Sequence, residues 1–293
     1  MFELLGIPPQ MLFGQILLGL INGAFYAMLS LGLAVIFGLL NVINFAHGAL
    51  YMMGAFAAWM LLNWAGIPYW GALILAPIIV GAVGIVLERL FLRRLYHLDH
   101  LYGLLLTFGL ALVIEGLFRN QFGSTGLPYP NPLPGGTRLS FMFLPNYRAW
   151  VVVASLLVCF GTWFLIERTK LGSYLRAATE RPDLVQAFGI NVPRMITLTY
   201  GFGVGLAALA GVLAAPAYNV SPLMGSNLII IVFAVVVIGG MGSIMGAILT
   251  GFALGVIEGL TKVFYPEASN TVIFVIMAIV LMLKPAGLFG TPK

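Results

Sequence analysis

Apolar residues run along this chain in long blocks, without strand-like alternation. From Leu4 to Leu87 there are 84 consecutive residues with no Asp, Glu, Lys or Arg, and from Met195 to Ile257 there are another 63. Stretches such as Ile16-Leu17-Leu18-Gly19-Leu20 and Ala34-Val35-Ile36-Phe37 are apolar on every side. A membrane β-strand alternates apolar and polar residues over about 10 positions, so the pattern excludes a barrel. Helices satisfy their own backbone in lipid, and each needs about 20 apolar residues to cross. The blocks predict spans at 12–39, 46–62, 70–92, 101–118, 149–166, 195–217, 228–240, 243–263 and 268–283. The run 228–240 is short and ends in Gly239-Gly240-Met241-Gly242-Ser243, so it reads as a crossing or as a re-entrant segment. The predicted fold is all-α: one polytopic transmembrane helix bundle over residues 1–293, with about 8–9 spans, some of them broken or re-entrant.

Composition sharpens this picture. The chain is 61% apolar and 8% charged, whereas a soluble domain carries roughly 25% charged residues. The single Cys159 lies inside an apolar run, which excludes a disulfide framework. The first apolar run lacks a preceding basic region and is too long for a cleavable signal, so it is expected to persist as a span.

Charge then sets an orientation. Arg89, Arg93 and Arg94 fall in 88–100; Arg168, Lys170, Arg176, Arg181 and Arg194 fall in 167–194; Lys284 and Lys293 lie in the tail. These ten of the 14 basic residues share one predicted side, against Arg119, Arg138, Arg148 and Lys262 on the other. Basic residues concentrate in cytoplasmic loops. The expectation is an N-terminus outside, a cytoplasmic C-terminus, a cytoplasmic loop 167–194 and a periplasmic loop 119–148. The net charge of +5 resides between spans and does not point to nucleic acid.

Two breaks interrupt the apolar blocks: Asn41-Val42-Ile43-Asn44-Phe45-Ala46-His47-Gly48 and Gly239–Ser243. Irregular backbone at membrane depth survives only when buried in protein or beside a wet cavity, and transporters set solute paths next to broken helices. Each break reads either as a tight turn between spans or as a segment lining a path. The path candidates are Asn41, Asn44, His47, Gly48, Gly239, Gly240, Gly242 and Ser243. No second His or carboxylate stands at ligand spacing from His47, so a metal site is rejected. Glycines 201, 203, 205 and 211 in one span, and 246, 251, 255 and 259 in another, predict close helix packing. Two intramembrane carboxylates, Glu115 and Glu258, each precede a basic residue by four positions, Arg119 and Lys262. They read as local ion pairs or as parts of a path or gate.

The segment 167–194 predicts two short helices divided near Pro182, with Leu175, Ala178, Leu184, Ala187 and Phe188 on apolar faces and Gly189 as terminator. Such helices suit docking into a partner's groove, or lying on the bilayer surface.

At this segment the chain resembles the permeases of branched-chain amino acid ABC importers. Leu171-Gly172, Arg176-Ala177 and Gly189-Ile190-Asn191 fall where that family has its coupling loop. The segment Asn41–Gly48 resembles its first motif, Val236-Val237-Ile238-Gly239-Gly240-Met241-Gly242-Ser243 its second, and Lys284-Pro285-Ala286-Gly287-Leu288-Phe289-Gly290 its terminal one. Ala49 after Gly48 and Met245 after Ile244 depart from many relatives. The length suits the shorter of the two permease subunits.

The resemblance implies a non-enzymatic transport subunit in a bacterial inner membrane, working by alternating access. Its partners would be a second permease, two cytoplasmic ATPases carrying ATP and Mg, and a periplasmic solute-binding protein. Leu171, Gly172, Arg176, Ala177, Ala187, Gly189, Ile190 and Asn191 would couple to the ATPases. The chain has no Gly-x-x-x-x-Gly-Lys-Ser/Thr phosphate loop of its own. Related importers of urea, short amides, other amino acids or sugars are the nearest alternative; a stand-alone secondary transporter is the next. A membrane enzyme lacks a nucleophile with an adjacent base.

Overall fold

The computed structural model describes residues 8–40, 43–96 and 98–290. Helices α1 (Pro9–Leu40), α2 (Ala46–Ala65), α3 (Tyr69–Leu90), α4 (His100–Phe122) and α5 (Asn146–Glu167) come first. The short helices α6 (Lys170–Glu180) and α7 (Pro182–Ala187) follow, then α8 (Val192–Ala214), α9 (Ser226–Gly239), α10 (Ile244–Phe264) and α11 (Val272–Leu283). The only regular strands among the described residues form a hairpin between α4 and α5, β1 (Gly136–Arg138) antiparallel to β2 (Phe143–Pro145). The all-α transmembrane bundle expected from the pattern is the observed fold.

Every predicted span has its helix, but they differ in reach. Among the described residues six helices, α1, α3, α4, α5, α8 and α10, are long and apolar enough to cross a membrane. Helix α9 has 14 residues and α11 has 12. At 1.5 Å per residue these extend about 21 and about 18 Å, short of a hydrocarbon core of about 30 Å. The short run near 230 therefore ends inside the protein, at the glycine turn read from its sequence.

Small residues decide which helices lie at the centre. Helices α1 and α10 run antiparallel in close contact: a methyl group added at Gly19 would stand 2.5 Å from the Gly255 carbonyl oxygen. Gly54 of α2 meets the Ala208 backbone of α8 with no room for a side chain. Apolar helices gain no hydrophobic free energy by leaving lipid for one another, so close backbone approach and dispersion hold them. Helices α1 and α8 are mostly enclosed, whereas α3, α4 and α5 keep most of their apolar surface outward. On α4 the exposed Leu101, Leu105, Phe108 and Leu112 form a stripe at helical spacing.

The two basic loops meet at one end of the bundle. Arg89 and Arg93, at the end of α3, border the same cavity as Asn191 and Arg194 at the start of α8. At a different place, Leu127 of the α4–α5 connection and Val220 of the α8–α9 connection exchange two backbone hydrogen bonds of 2.9 Å. That bridge ties the hairpin-bearing loop to the wall of the cavity described next.

Candidate functional site

A cavity of about 340 Å³ lies between α1, α2 and the α8–α9 connection. Asn22, Tyr26, Tyr51, Tyr218, Asn219 and Asn227 supply polar groups, and Phe25, Met224 and Leu228 supply apolar ones. The mixture suits a small solute with a polar end and an apolar one. Tyr218 donates to Asn22 Oδ1 at 3.3 Å. Tyr26 donates to Glu258 Oε2 at 2.7 Å, and Glu258 also pairs with Lys262. Glu258 is buried, so its local ion pair and its link to the cavity wall coexist.

Glu115 behaves differently from its sequence counterpart. Among the described residues no ion pair within 4.0 Å joins it to Arg119, whose charge is still near enough to attract it; the carboxylate also lies near Ser226, at the first turn of α9. A carboxylate there faces the positive end of the helix dipole. Of the two membrane carboxylates, Glu258 stands directly behind Tyr26 of the cavity wall.

The first break sits under this cavity. Asn41 lies outside the described residues. Thr107 of α4 satisfies the irregular backbone: its Oγ1 is 3.2 Å from the Ile43 carbonyl and accepts from the Phe45 N–H at 3.2 Å. Asn44 donates to the Tyr200 hydroxyl at 3.0 Å. His47 Nε2 bonds the Leu29 carbonyl at 3.0 Å, which assigns the proton to Nε2, since a carbonyl only accepts. Gly48 is pressed against the start of α9: a methyl group there would stand 2.7 Å from the Gly225 carbonyl oxygen. One turn further along α2, Tyr51 enters the cavity wall. None of Asn44, His47 and Gly48 lines the cavity in this conformation: Asn44 ties the break to α8, His47 ties α2 to α1, and Gly48 packs on the start of α9.

The second break is a turn with a lid of its own. Gly240 and Gly242 adopt φ of +104° and +89°, the left-handed region where glycine has no Cβ penalty. The Ser243 side chain accepts from the Gly246 N–H at 3.1 Å and caps α10. Gly239 packs on Gly246, and Gly242 on Gly38 of α1. The terminal segment then completes α9: Leu288 N–H donates to Ile238 at 2.8 Å and Phe289 N–H to Gly239 at 3.1 Å. Helix C-termini leave carbonyls unpaired, and here the distant tail satisfies them. Two motifs read separately in the sequence are one structural unit.

At the basic end, α6 and α7 divide at Pro182 as their sequence predicts, and Gly189 closes α7 with φ +83°. Gly172 lies directly on the Ile166 backbone, and Arg176 donates to the Ile166 carbonyl and to Glu167, both at 3.2 Å. These contacts clamp α6 to the end of α5. Ala178, Val185 and Val192 form a small core with Ile190 packed against it, and Asn191 caps α8 through the Arg194 N–H at 3.1 Å. The predicted apolar faces therefore split. Leu175 and Ala178 pack inward, whereas Leu184, Phe188 (84% exposed), Leu171 and Tyr174 face outward, with Ala177 and Ala187 also exposed.

Sequence reasoning missed the cavity residues Asn22, Tyr26, Tyr51, Tyr218, Asn219 and Asn227. A usable signal existed in Tyr218-Asn219-Val220-Ser221-Pro222, a polar and Pro-bearing stretch between two apolar blocks. The face that Asn22 or Tyr51 presents was not readable without the packing of α1 on α2.

Residues 15–281 match the family described as branched-chain amino acid transport system / permease component. The chain is similar to the high-affinity branched-chain amino acid transport system permease protein BraD of Pseudomonas aeruginosa, with 32% identity covering 95% of this chain and 96% of that one. It is similar to the permease protein LivH of Escherichia coli at 30% identity, again covering 95% and 96%. The permease protein LivM of the same organism shares 28% identity, with 90% of this chain and 67% of that one covered.

Proposed function

Because the chain belongs to the family of branched-chain amino acid transport permease components, we propose that it forms part of the translocation path of an ATP-driven importer for leucine, isoleucine and valine. The observation that carries this reading is the match along residues 15–281. The cavity supports it, since asparagine and tyrosine groups beside Phe25, Met224 and Leu228 suit an amino acid with an apolar side chain. Similarity to both LivH and LivM agrees with a paired second permease.

In this reading the protein is a multi-pass component of a bacterial inner membrane, with the basic end cytoplasmic and the hairpin loop periplasmic. Two ATPases, carrying ATP and Mg, press on the exposed Leu171, Tyr174, Leu184 and Phe188. The clamp of Gly172 and Arg176 on α5 passes the push to α5. The Asn191 cap passes it to α8, which packs on α1, α2 and α3. Helix α8 leads into the segment 215–225 that walls the cavity, so its shift changes the cavity's shape. The Gly48–Gly225 contact and the Gly239–Ser243 turn at either end of α9 serve as the pivots. A periplasmic binding protein delivers solute at the hairpin loop, whose Leu127–Val220 bridge reaches the same wall.

The test is uptake into proteoliposomes holding this chain with its second permease, the two ATPases and the binding protein. Labelled leucine accumulates only with ATP, and isoleucine and valine compete while urea does not. Uptake by this chain alone, or uptake of urea in place of leucine, overturns the proposal.

A further inference from the structure

At the basic end, away from the solute cavity, a second cavity of about 360 Å³ is lined by Arg89, Arg93, Asn191, Pro193, Arg194 and Thr197. Three arginines converge there, and among the described residues none has a carboxylate within 4.0 Å. The nearest acid in sequence, Glu88, is buried and engaged by the Tyr96 hydroxyl at 2.9 Å and the Thr197 hydroxyl at 2.8 Å. Three like charges around an open cavity repel one another unless an anion lies between them. Guanidinium groups match the oxygens of phosphate in paired hydrogen bonds.

Depth selects the kind of phosphate. Arg89 and Arg93 close the span Tyr69–Arg94, and Arg194 opens the span Val192–Ala214, so the cavity lies at headgroup level. One turn deeper, each helix exposes apolar groups on the same face: Val86 precedes Arg89 by three positions, and Leu198 follows Arg194 by four. Charge at the rim with an exposed apolar stripe beneath it matches a phosphodiester headgroup above its acyl chains. Basic pockets between membrane helices are suited to such anionic headgroups.

We propose that this cavity binds the phosphate headgroup of an anionic phospholipid, with Arg89, Arg93 and Arg194 holding the phosphate and Val86 and Leu198 meeting the acyl chains. The site is independent of the transported solute. A bound lipid there bridges the end of α3 to the start of α8 and so braces the helix that receives the α7 connection.

The experiment is native mass spectrometry of the full purified chain titrated with dioleoyl phosphatidylglycerol, dioleoyl phosphatidylcholine or sodium phosphate. Phosphatidylglycerol binds at least tenfold tighter than phosphatidylcholine. R194Q, an exposed single change, weakens it about fivefold, and R89Q/R93Q/R194Q about a hundredfold, at roughly fivefold per arginine. The control R168Q/K170Q/R181Q removes as much charge from the same end and leaves the binding unchanged. Equal binding of the two lipids, or undiminished phosphatidylglycerol binding by both R194Q and the triple variant, overturns the site. Sodium phosphate that displaces phosphatidylglycerol at equal concentration overturns the lipid assignment in favour of a soluble phosphate.

Discussion

Lys262 is the partial opening through which the buried Glu258 reaches water: its side chain is 35% exposed against 6% for the carboxylate. Replacing Lys262 by Met leaves Glu258 with the Tyr26 hydroxyl alone. Breaking such a pair from one side costs up to about 3 kcal/mol, so K262M lowers the thermal unfolding midpoint in detergent. The double change E258Q/K262M removes the stranded charge and recovers much of the loss; a double variant less stable than K262M refutes the pairing. Gly48 allows a second prediction at this scale. Its hydrogen is all that separates α2 from the Gly225 carbonyl, so G48V forces α9 away from α2. The variant inserts normally by immunoblot of membranes but takes up less than a tenth of wild-type leucine, and wild-type uptake removes Gly48 from the pivot.

Helices α6 and α7 carry two sets of residues, one facing the bundle and one facing away, and in the proposed coupling the outward set meets the ATPase. Phe188 contributes almost nothing to packing, so F188A changes stability by less than about 0.5 kcal/mol. It nevertheless reduces solute-stimulated ATP hydrolysis in the reconstituted complex at least fivefold. Undiminished hydrolysis would show that α7 does not receive the ATPase. R176E acts on the other side of the same element, removing the donor to Ile166 and reversing the charge beside Glu167. Its expected signature is lost coupling with α6 more open to protease, whereas F188A leaves the protease pattern unaltered. The pattern 170–191 foretold both helices and their division, since Pro182 and Gly189 act locally. It assigned no direction within those faces: Leu184 and Phe188 look as apolar as Leu175 in sequence, and only the packing of α6 on α5 separates them.

For the molecule as a whole, orientation is the prediction that joins the parts. The sole cysteine, Cys159, is buried, so the chain offers a clean background for single reporters. Cysteine at Thr137 in the hairpin is expected to react with an impermeant maleimide from outside intact spheroplasts, and cysteine at Phe188 only after lysis. Labelling of both from the same side would dismantle the arrangement of path, clamp and hairpin. The long-range contacts that hold the bundle include the α1–α10 seam, the Leu127–Val220 bridge, and the tail that completes α9.

Long uncharged runs force a helical membrane bundle, because lipid offers no partner for an open backbone. Charge asymmetry and local turn chemistry likewise act within a few residues of their cause. Span positions, the interrupted helices, the divided loop and the family resemblance were therefore legible along the chain. What tertiary structure decided are the contacts between residues far apart in sequence: Tyr26 with Glu258, Asn44 with Tyr200, and Phe289 with Gly239. In helices apolar on all sides, periodicity does not name an inner face. Which side chains surround the cavity was set only when small residues let particular backbones approach.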